Sequence, residues 1–294
     1  MRSRLSLKNS VKAVRNSLIL IILIFLSGCL SSTSPTYIRE NIEESIENIC
    51  KKEYKLDVNA KLAGETLWVY LPVEDLVIEA DKPEKFTDKF DAFIQRIPDE
   101  RSLKLAYLVK PIPDKEVLQK LKYNKEALKK STDVLKALRR VILSLDRSKT
   151  SEPRFYYLLI ADIKNGEMIT QINYYLDLKK VSYEYISWDE YQHRTVIKRG
   201  KAKIGDTEGI AIDYYNTTMK DFVADQIVNR LELKFQKPEV EKSVDIDKEV
   251  RKVIAHVLQI YDFKDFDSAE LNNLLTKNRI VLSQKAVLEK TVSQ

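Results

Sequence analysis

Phe155-Tyr156-Tyr157-Leu158-Leu159-Ile160-Ala161-Asp162-Ile163-Lys164-Asn165-Gly166-Glu167-Met168-Ile169-Thr170-Gln171-Ile172-Asn173-Tyr174-Tyr175-Leu176 is the stretch that decides the fold. Two apolar, aromatic-rich runs flank Asn165-Gly166, the dipeptide best suited to a tight type I′ hairpin turn because both of its positions need positive φ. A two-residue turn there opposes Phe155 with Leu176, Tyr157 with Tyr174 and Leu159 with Ile172. The other face then sets Tyr156 opposite Tyr175, with Leu158 and Ile160 beside Asn173 and Gln171. Both faces of the first strand are apolar, which predicts a strand that is central and covered on both sides, or part of an interface.

Working backwards, Leu118, Leu121, Leu128, Leu135, Leu138, Ile142 and Leu145 predict a long helix near 115–145 that feeds this hairpin. The same plan occurs earlier. Ile38, Ile42, Ile46 and Ile49 recur at helical spacing, and strands near 55–62 and 65–71 follow, joined at Ala63-Gly64. That turn opposes Val58 with Val69 and Ala60 with Leu67. The expected fold class is therefore α+β. Two helix-hairpin (αββ) units, 37–72 and 115–177, form a four-stranded antiparallel sheet with helices packed on one face.

Between the units, Phe86, Phe90, Phe93 and Ile97 suggest a helix, Leu103 to Val109 suggest a strand, and Pro111 and Pro113 break the chain. After Tyr215 the pattern turns helical. Thr218 followed by Asp221 resembles a capping box ahead of a helix to about 235. Another helix spans 246–261, and short ones are expected after Asp267 and over 283–290. Residues 37–215 thus read as an α+β domain, and 216–294 as a helical subdomain.

The beginning of the chain has its own logic. Arg2, Arg4, Lys8, Lys12 and Arg15 precede an apolar run from Leu18 to Leu26, then Ser27 and Gly28. A basic stretch, a short apolar core and small residues are the parts of a secretory signal peptide. The core is shorter than the roughly 20 apolar residues that cross a bilayer. Leu26-Ser27-Gly28-Cys29 resembles the lipobox of bacterial lipoproteins. The resemblance covers residues 1–29 only. It implies removal of 1–28 and lipid on Cys29, with a polar tether over 29–36 that holds the body near the membrane on its extracytoplasmic side. In that family an Asp just after the Cys retains the protein in the inner membrane. Leu30 departs from that signal, which implies the outer membrane, facing the periplasm, where the cell has one.

Composition narrows the functions. Five positive charges of the formal +6 lie in the signal peptide, leaving the rest near +1, which is no field for nucleic acid. Cys50 falls on the apolar stripe of the first helix, as a buried thiol would. Gly64, Gly166, Gly200, Gly205 and Gly209 form no phosphate-cradling cluster, and no G-x-S-x-G or H-E-x-x-H occurs. His193 after Trp188-Asp189-Glu190-Tyr191 and His256 on a polar helix side read as solvated residues. Asp262, Asp265 and Asp267 alternate with Phe263 and Phe266, without the Gly of a calcium loop. No catalytic residue, metal or cofactor is expected.

The candidate interaction surface is Tyr156 and Tyr175, from a tyrosine-rich stretch, with Lys125, Lys129, Lys136 and Arg140 on the basic helix. Three readings stay open. The first is a non-catalytic envelope lipoprotein that binds or scaffolds a protein partner. The second is a carrier of lipid or another apolar ligand. The third is a lipid-anchored cell-wall hydrolase.

Overall fold

The computed structural model describes residues 37–145, 152–202, 204–205, 209–210 and 213–289. The lipobox and Cys29 lie outside them. The α+β class holds, but among the described residues there are two main sheets, both mixed, and a small two-stranded one.

The first sheet is built from the two helix-hairpin units. Its elements are α1 (Ile42–Ile49), which runs on in a wide turn to Tyr54, β1 (Asn59–Ala63) and β2 (Thr66–Val73). The long hairpin β3 (Val77–Ile97) and β4 (Ser102–Tyr123) follows, and then come α2 (Lys125–Leu143), β5 (Phe155–Asp162) and β6 (Glu167–Tyr174). After α3 (Tyr175–Ser182) and α4 (Trp188–His193), β7 (Val196–Lys201) completes the order β1-β2-β5-β6-β7. β2 and β5 run parallel, from Thr66 beside Phe155 to Val73 beside Asp162, so the sheet is not the antiparallel one expected.

Both hairpin registers differ from the expected ones by two residues. Ala60 faces Val69 and Leu62 faces Leu67, because the chain turns at Gly64-Glu65. Gly64 has φ +60, and the Asn216 side chain packs where a Cβ would stand, 2.7 Å away. In the second hairpin Phe155 faces Tyr174 and Tyr157 faces Ile172, around a four-residue loop, 163–166. The cause is Asp162, whose carboxylate accepts from the Asn165 backbone N–H at 2.9 Å and its side-chain amide at 2.8 Å. Because strand faces alternate with period two, a slip of two leaves every side chain on its expected face.

β5 is central and buried along its whole length, as its two apolar faces require. One face packs Tyr156, Leu158 and Ile160 against Ile42 and Ile46 of α1 and Val134, Leu138 and Val141 of α2. Cys50 lies in this core, where burial and then the nearby Glu47 charge push its thiol up to about 11. In a Cys29→Ser chain, Cys50 should resist dithionitrobenzoate until the protein is unfolded. Labelling of the native protein at the rate of a free thiol would show that α1 does not seat as described.

The second sheet adds β10 (Ser268–Asn273) and β11 (Asn278–Ser283) in the order β11-β10-β4-β3 and corrects three expectations. Residues 86–97 are strand, not helix. Phe90 and Ile94 point inward while Phe93 and Ile97 are exposed, so apolar residues on both faces of a regularly alternating strand together imitate helical spacing. Residues 115–123 are strand as well, so the second helix begins only at Lys125, where the Asn124 side chain accepts from the Glu126 N–H. Pro111 and Pro113 stay within β4, on a stretch where the strand pairs on one side only.

The carboxy-terminal third is not all helical. A small pair, β8 (Ile204–Gly205) and β9 (Gly209–Ile210), precedes α5 (Met219–Phe235) and α6 (Ile246–Ile260). Thr218 caps α5 by accepting from Asp221 N–H, as expected. Then β10 (Ser268–Asn273) and β11 (Asn278–Ser283) form a hairpin, and only α7 (Gln284–Glu289) remains helical. Ala269, Leu271 and Asn273 are buried in strict alternation, a strand period. β10 pairs parallel with β4, Ser268 beside Ser102 through Asn273 beside Tyr107, so this sheet joins segments from both sides of residue 215.

α5 is the wedge between the sheets. Phe222 enters the core of the first, while Val223, Ile227, Leu231 and Phe235 enter the core of the second. Asp225, nearly buried, pairs with Arg96 of β3 at 3.1 Å and Lys198 of β7 at 2.6 Å, which ties both sheets to the helix.

Candidate interaction surfaces

The tyrosines of the β5–β6 hairpin are core, which corrects their expected place on a binding surface. Tyr156 is 1% and Tyr175 3% exposed. The Tyr156 hydroxyl bonds that of Tyr191, which in turn donates to Asn173 Oδ1 at 3.1 Å. Burial, then Tyr191, pushes the Tyr156 phenol well above its ordinary range. On the opposite face Tyr157 stacks on Trp68 at 3.9 Å, and Tyr215 packs edge-on against both. The segment 213–218 is strapped across this face by Trp68 Nε1–H to the Tyr215 carbonyl and by Tyr157 with Thr217. Tyr156, Tyr157 and Trp68 thus join layers of the fold, while Tyr215 covers them from outside and stays 46% exposed.

The titratable groups that converge do so on one another. Arg194 donates to Asp177 at 2.9 Å and to Glu190 at 2.7 Å. Burial raises the Asp177 carboxyl above its usual range, and Arg194 offsets this only in part. His256 is pushed down by burial and then by Arg230. A pair of carboxylates for hydrolysis needs an open space between them; Asp177 and Glu190 have Arg194 there instead. Asp262 pairs with Lys264, and among the described residues no three acids, histidines or cysteines gather as a metal-holding group.

Lys125, Lys129, Lys136 and Arg140 are exposed on α2. Lys136 pairs with Asp133 at 2.7 Å and Arg140 with Glu53 at 2.6 Å, so half of the proposed basic set is already matched by acids. Lys115, Lys120 and Lys122, counted with that helix from sequence, stand on β4.

The surface that sequence reasoning missed is on the β3–β4 hairpin. Its tip pairs into the second sheet, its base packs through Val77 and Tyr123 on the core of the first, and the stretch between pairs with no third strand. A two-stranded ribbon is marginal in water by itself. Phe86 pairs across to Val117, and on the same face of β4 come Gln119, opposite Glu84, and then Leu121 and Tyr123, so the apolar strip is broken once by a polar pair. Phe86 is 42% and Leu121 54% exposed. This strip runs into a cleft of about 380 Å³ at the ribbon base, between Leu121 and Tyr123 on one side and Met168 and Ile169 on the other. Arg199 closes its rim, its guanidinium 5.4 Å from the Tyr123 ring centre, and Glu167 on the wall pairs with Lys201. The signal was present in the sequence as Phe86 and Val117-Leu118-Leu121 among charged residues, but it took strand pairing to put Phe86, Val117 and Leu121 on one face.

No described helix is long and apolar enough to cross a membrane. Comparison with protein-family models, with curated proteins and with solved structures yields no match.

Proposed function

We propose that this protein is a non-catalytic binding or assembly component of the bacterial cell envelope, held on its membrane by lipid on Cys29 and engaging a protein partner through the ribbon. The observation that carries the partner-binding part is two exposed apolar patches on one face of a two-stranded ribbon, Phe86–Val117 and Leu121–Tyr123, separated by the polar pair Glu84–Gln119, the second leading into the cleft beside Met168. The ribbon edges are guarded. Pro83, Pro111 and Pro113 interrupt its backbone donors, and Lys82, Lys85, Lys110, Lys115 and Lys120 line it, devices that discourage strand addition. A partner therefore meets the face and not the edge. The envelope address rests on the signal-peptide pattern and on Leu26-Ser27-Gly28-Cys29. A second reading, a carrier of a small apolar ligand, draws on the same cleft.

The test is site-specific photocrosslinking in intact cells, with the photoreactive residue at Phe86 or Leu121, and at Lys120 on the opposite face. A single discrete protein adduct from Phe86 and Leu121, and none from Lys120, is the expected result. Equal labelling from both faces, or no protein adduct from either, overturns the partner reading; a lipid or glycan adduct from Leu121 alone moves the assignment to a carrier.

A further inference from the structure

A second exposed patch lies at the other end of α2, and it is aromatic. Tyr183 is 59% and Tyr185 80% exposed, on the short connection from α3 to α4, and Trp188, the first residue of α4, is 51% exposed. The α3 terminus displays these rings by construction. Glu184 takes the left-handed conformation at φ 61 just past the helix, with its N–H to the Val181 carbonyl and the Tyr185 N–H to the Lys180 carbonyl. That is the helix-ending motif in which the residue at the Tyr185 position normally folds back onto the helix as an apolar contact. Here it stands in solvent. Trp188 is held from the other side by Arg139 of α2, whose guanidinium lies 5.6 Å from its ring centre, and by an edge contact with Tyr191.

The patch lies beside the point where the chain enters the fold. The Tyr37 amide donates to the Ser144 carbonyl at 3.3 Å, at the end of α2 and less than two turns beyond Arg139. Ile38, next to it, is 36% exposed. From Cys29 to Tyr37 the chain spans at most about 25–30 Å even when fully extended. A bilayer holding the lipid of Cys29 is thus within reach of this end of α2. The other end, where the ribbon begins, is about 28 Å further along the helix axis.

We infer that Tyr183, Tyr185 and Trp188 form the membrane-contacting surface of the anchored protein, seated at the headgroup level of the bilayer that holds its lipid. This rests on the lipid-anchor reading. Trp and Tyr favour that depth because a large apolar ring sinks while its polar tip stays wet. Glu184 and Asp189 flank the rings and offset Arg139 and Lys180, so the contact is made by rings and not by net charge. It therefore forms on zwitterionic lipid and persists at high salt, unlike a contact made by the basic face of α2.

The chain supplies its own probe. It has two tryptophans, and Trp68 is 4% exposed in the core. The lipidated full-length protein is reconstituted into phosphatidylcholine vesicles, and quenching by lipids brominated near the headgroup is compared with quenching by aqueous iodide. Trp188 emission should shift to the blue, lose most of its intensity to the brominated lipid and escape iodide, at low and high salt alike. A Trp188→Phe chain should lose this quenched component, and Trp68 should stay unquenched. Protein that floats with the vesicles while iodide still reaches Trp188 overturns the inference and leaves the anchor standing. Protein that carries no lipid and does not float overturns both.

Discussion

Replacing Phe222 with Ala should lower the unfolding free energy by about 3–5 kcal/mol, the range for emptying an aromatic site in a packed core. Phe222 has no exposed surface and lies 5.2 Å from the Phe155 ring, 5.3 Å from Tyr261 and 5.8 Å from Tyr174, between centres. Backbone elements on every side fix these rings, so the space left by truncation closes only in part. The same helix carries Val223, Ile227 and Leu231 into the other core, so loosening its seat weakens the joint between the sheets as well as one of them. Denaturant titration followed by near-ultraviolet circular dichroism measures the effect. A cost below about 1 kcal/mol would mean that α5 is not packed on the first sheet.

The second large effect is expected at Asp162, which holds three elements with one carboxylate. It accepts from the Asn165 N–H, from the Asn165 side-chain amide and, at 2.8 Å, from the Leu76 N–H at the entrance to the ribbon. Asp162→Ala leaves the buried Leu76 N–H without its acceptor, at about 1–3 kcal/mol, and removes two part-buried hydrogen bonds from Asn165 at about 0.5–1.5 kcal/mol each, so a total near 3 kcal/mol is expected. Burial pushes this carboxyl up, but the hydrogen bonds from Asn165 and Leu76 outweigh it, and its pKa lies below the usual 3.8. A depressed folded-state pKa means stability that is present above the unfolded value and lost as pH falls through the folded one. The wild-type acid limb should therefore contain a component, below about pH 4, that Asp162→Asn lacks. Identical acid limbs in the two proteins would remove Asp162 from that role.

The faces of the first sheet were legible from sequence because strand periodicity survives a wrong turn. Asn165-Gly166 located the hairpin, yet only Gly166 takes positive φ, and Asp162 spreads the turn over four residues. The pairing of β2 with β5 was not legible, since a parallel seam between distant segments leaves no local pattern. β3 reads as a helix because Phe90 and Ile94 on one face and Phe93 and Ile97 on the other together keep helical spacing. The tyrosines were counted as one group, although Tyr156, Tyr157 and Tyr175 lie in apolar runs while Tyr183 and Tyr185 alternate with Ser182 and Glu184. Composition could not separate a core ring from a displayed one; the neighbouring residues could.

The two parallel seams set the order in which the molecule can be assembled. Each hairpin closes locally and soon, but the first sheet waits until Phe155–Asp162 reaches Thr66–Val73, and the second until Ser268–Asn273 reaches Ser102–Tyr107. Long loops close slowly, and the second closure needs almost the entire chain. A chain emerging from its amino terminus thus keeps β4 unfinished, with Leu103 and Leu105 uncovered, until its last hairpin arrives. The interval before β10 appears is therefore the one in which the chain most needs a chaperone.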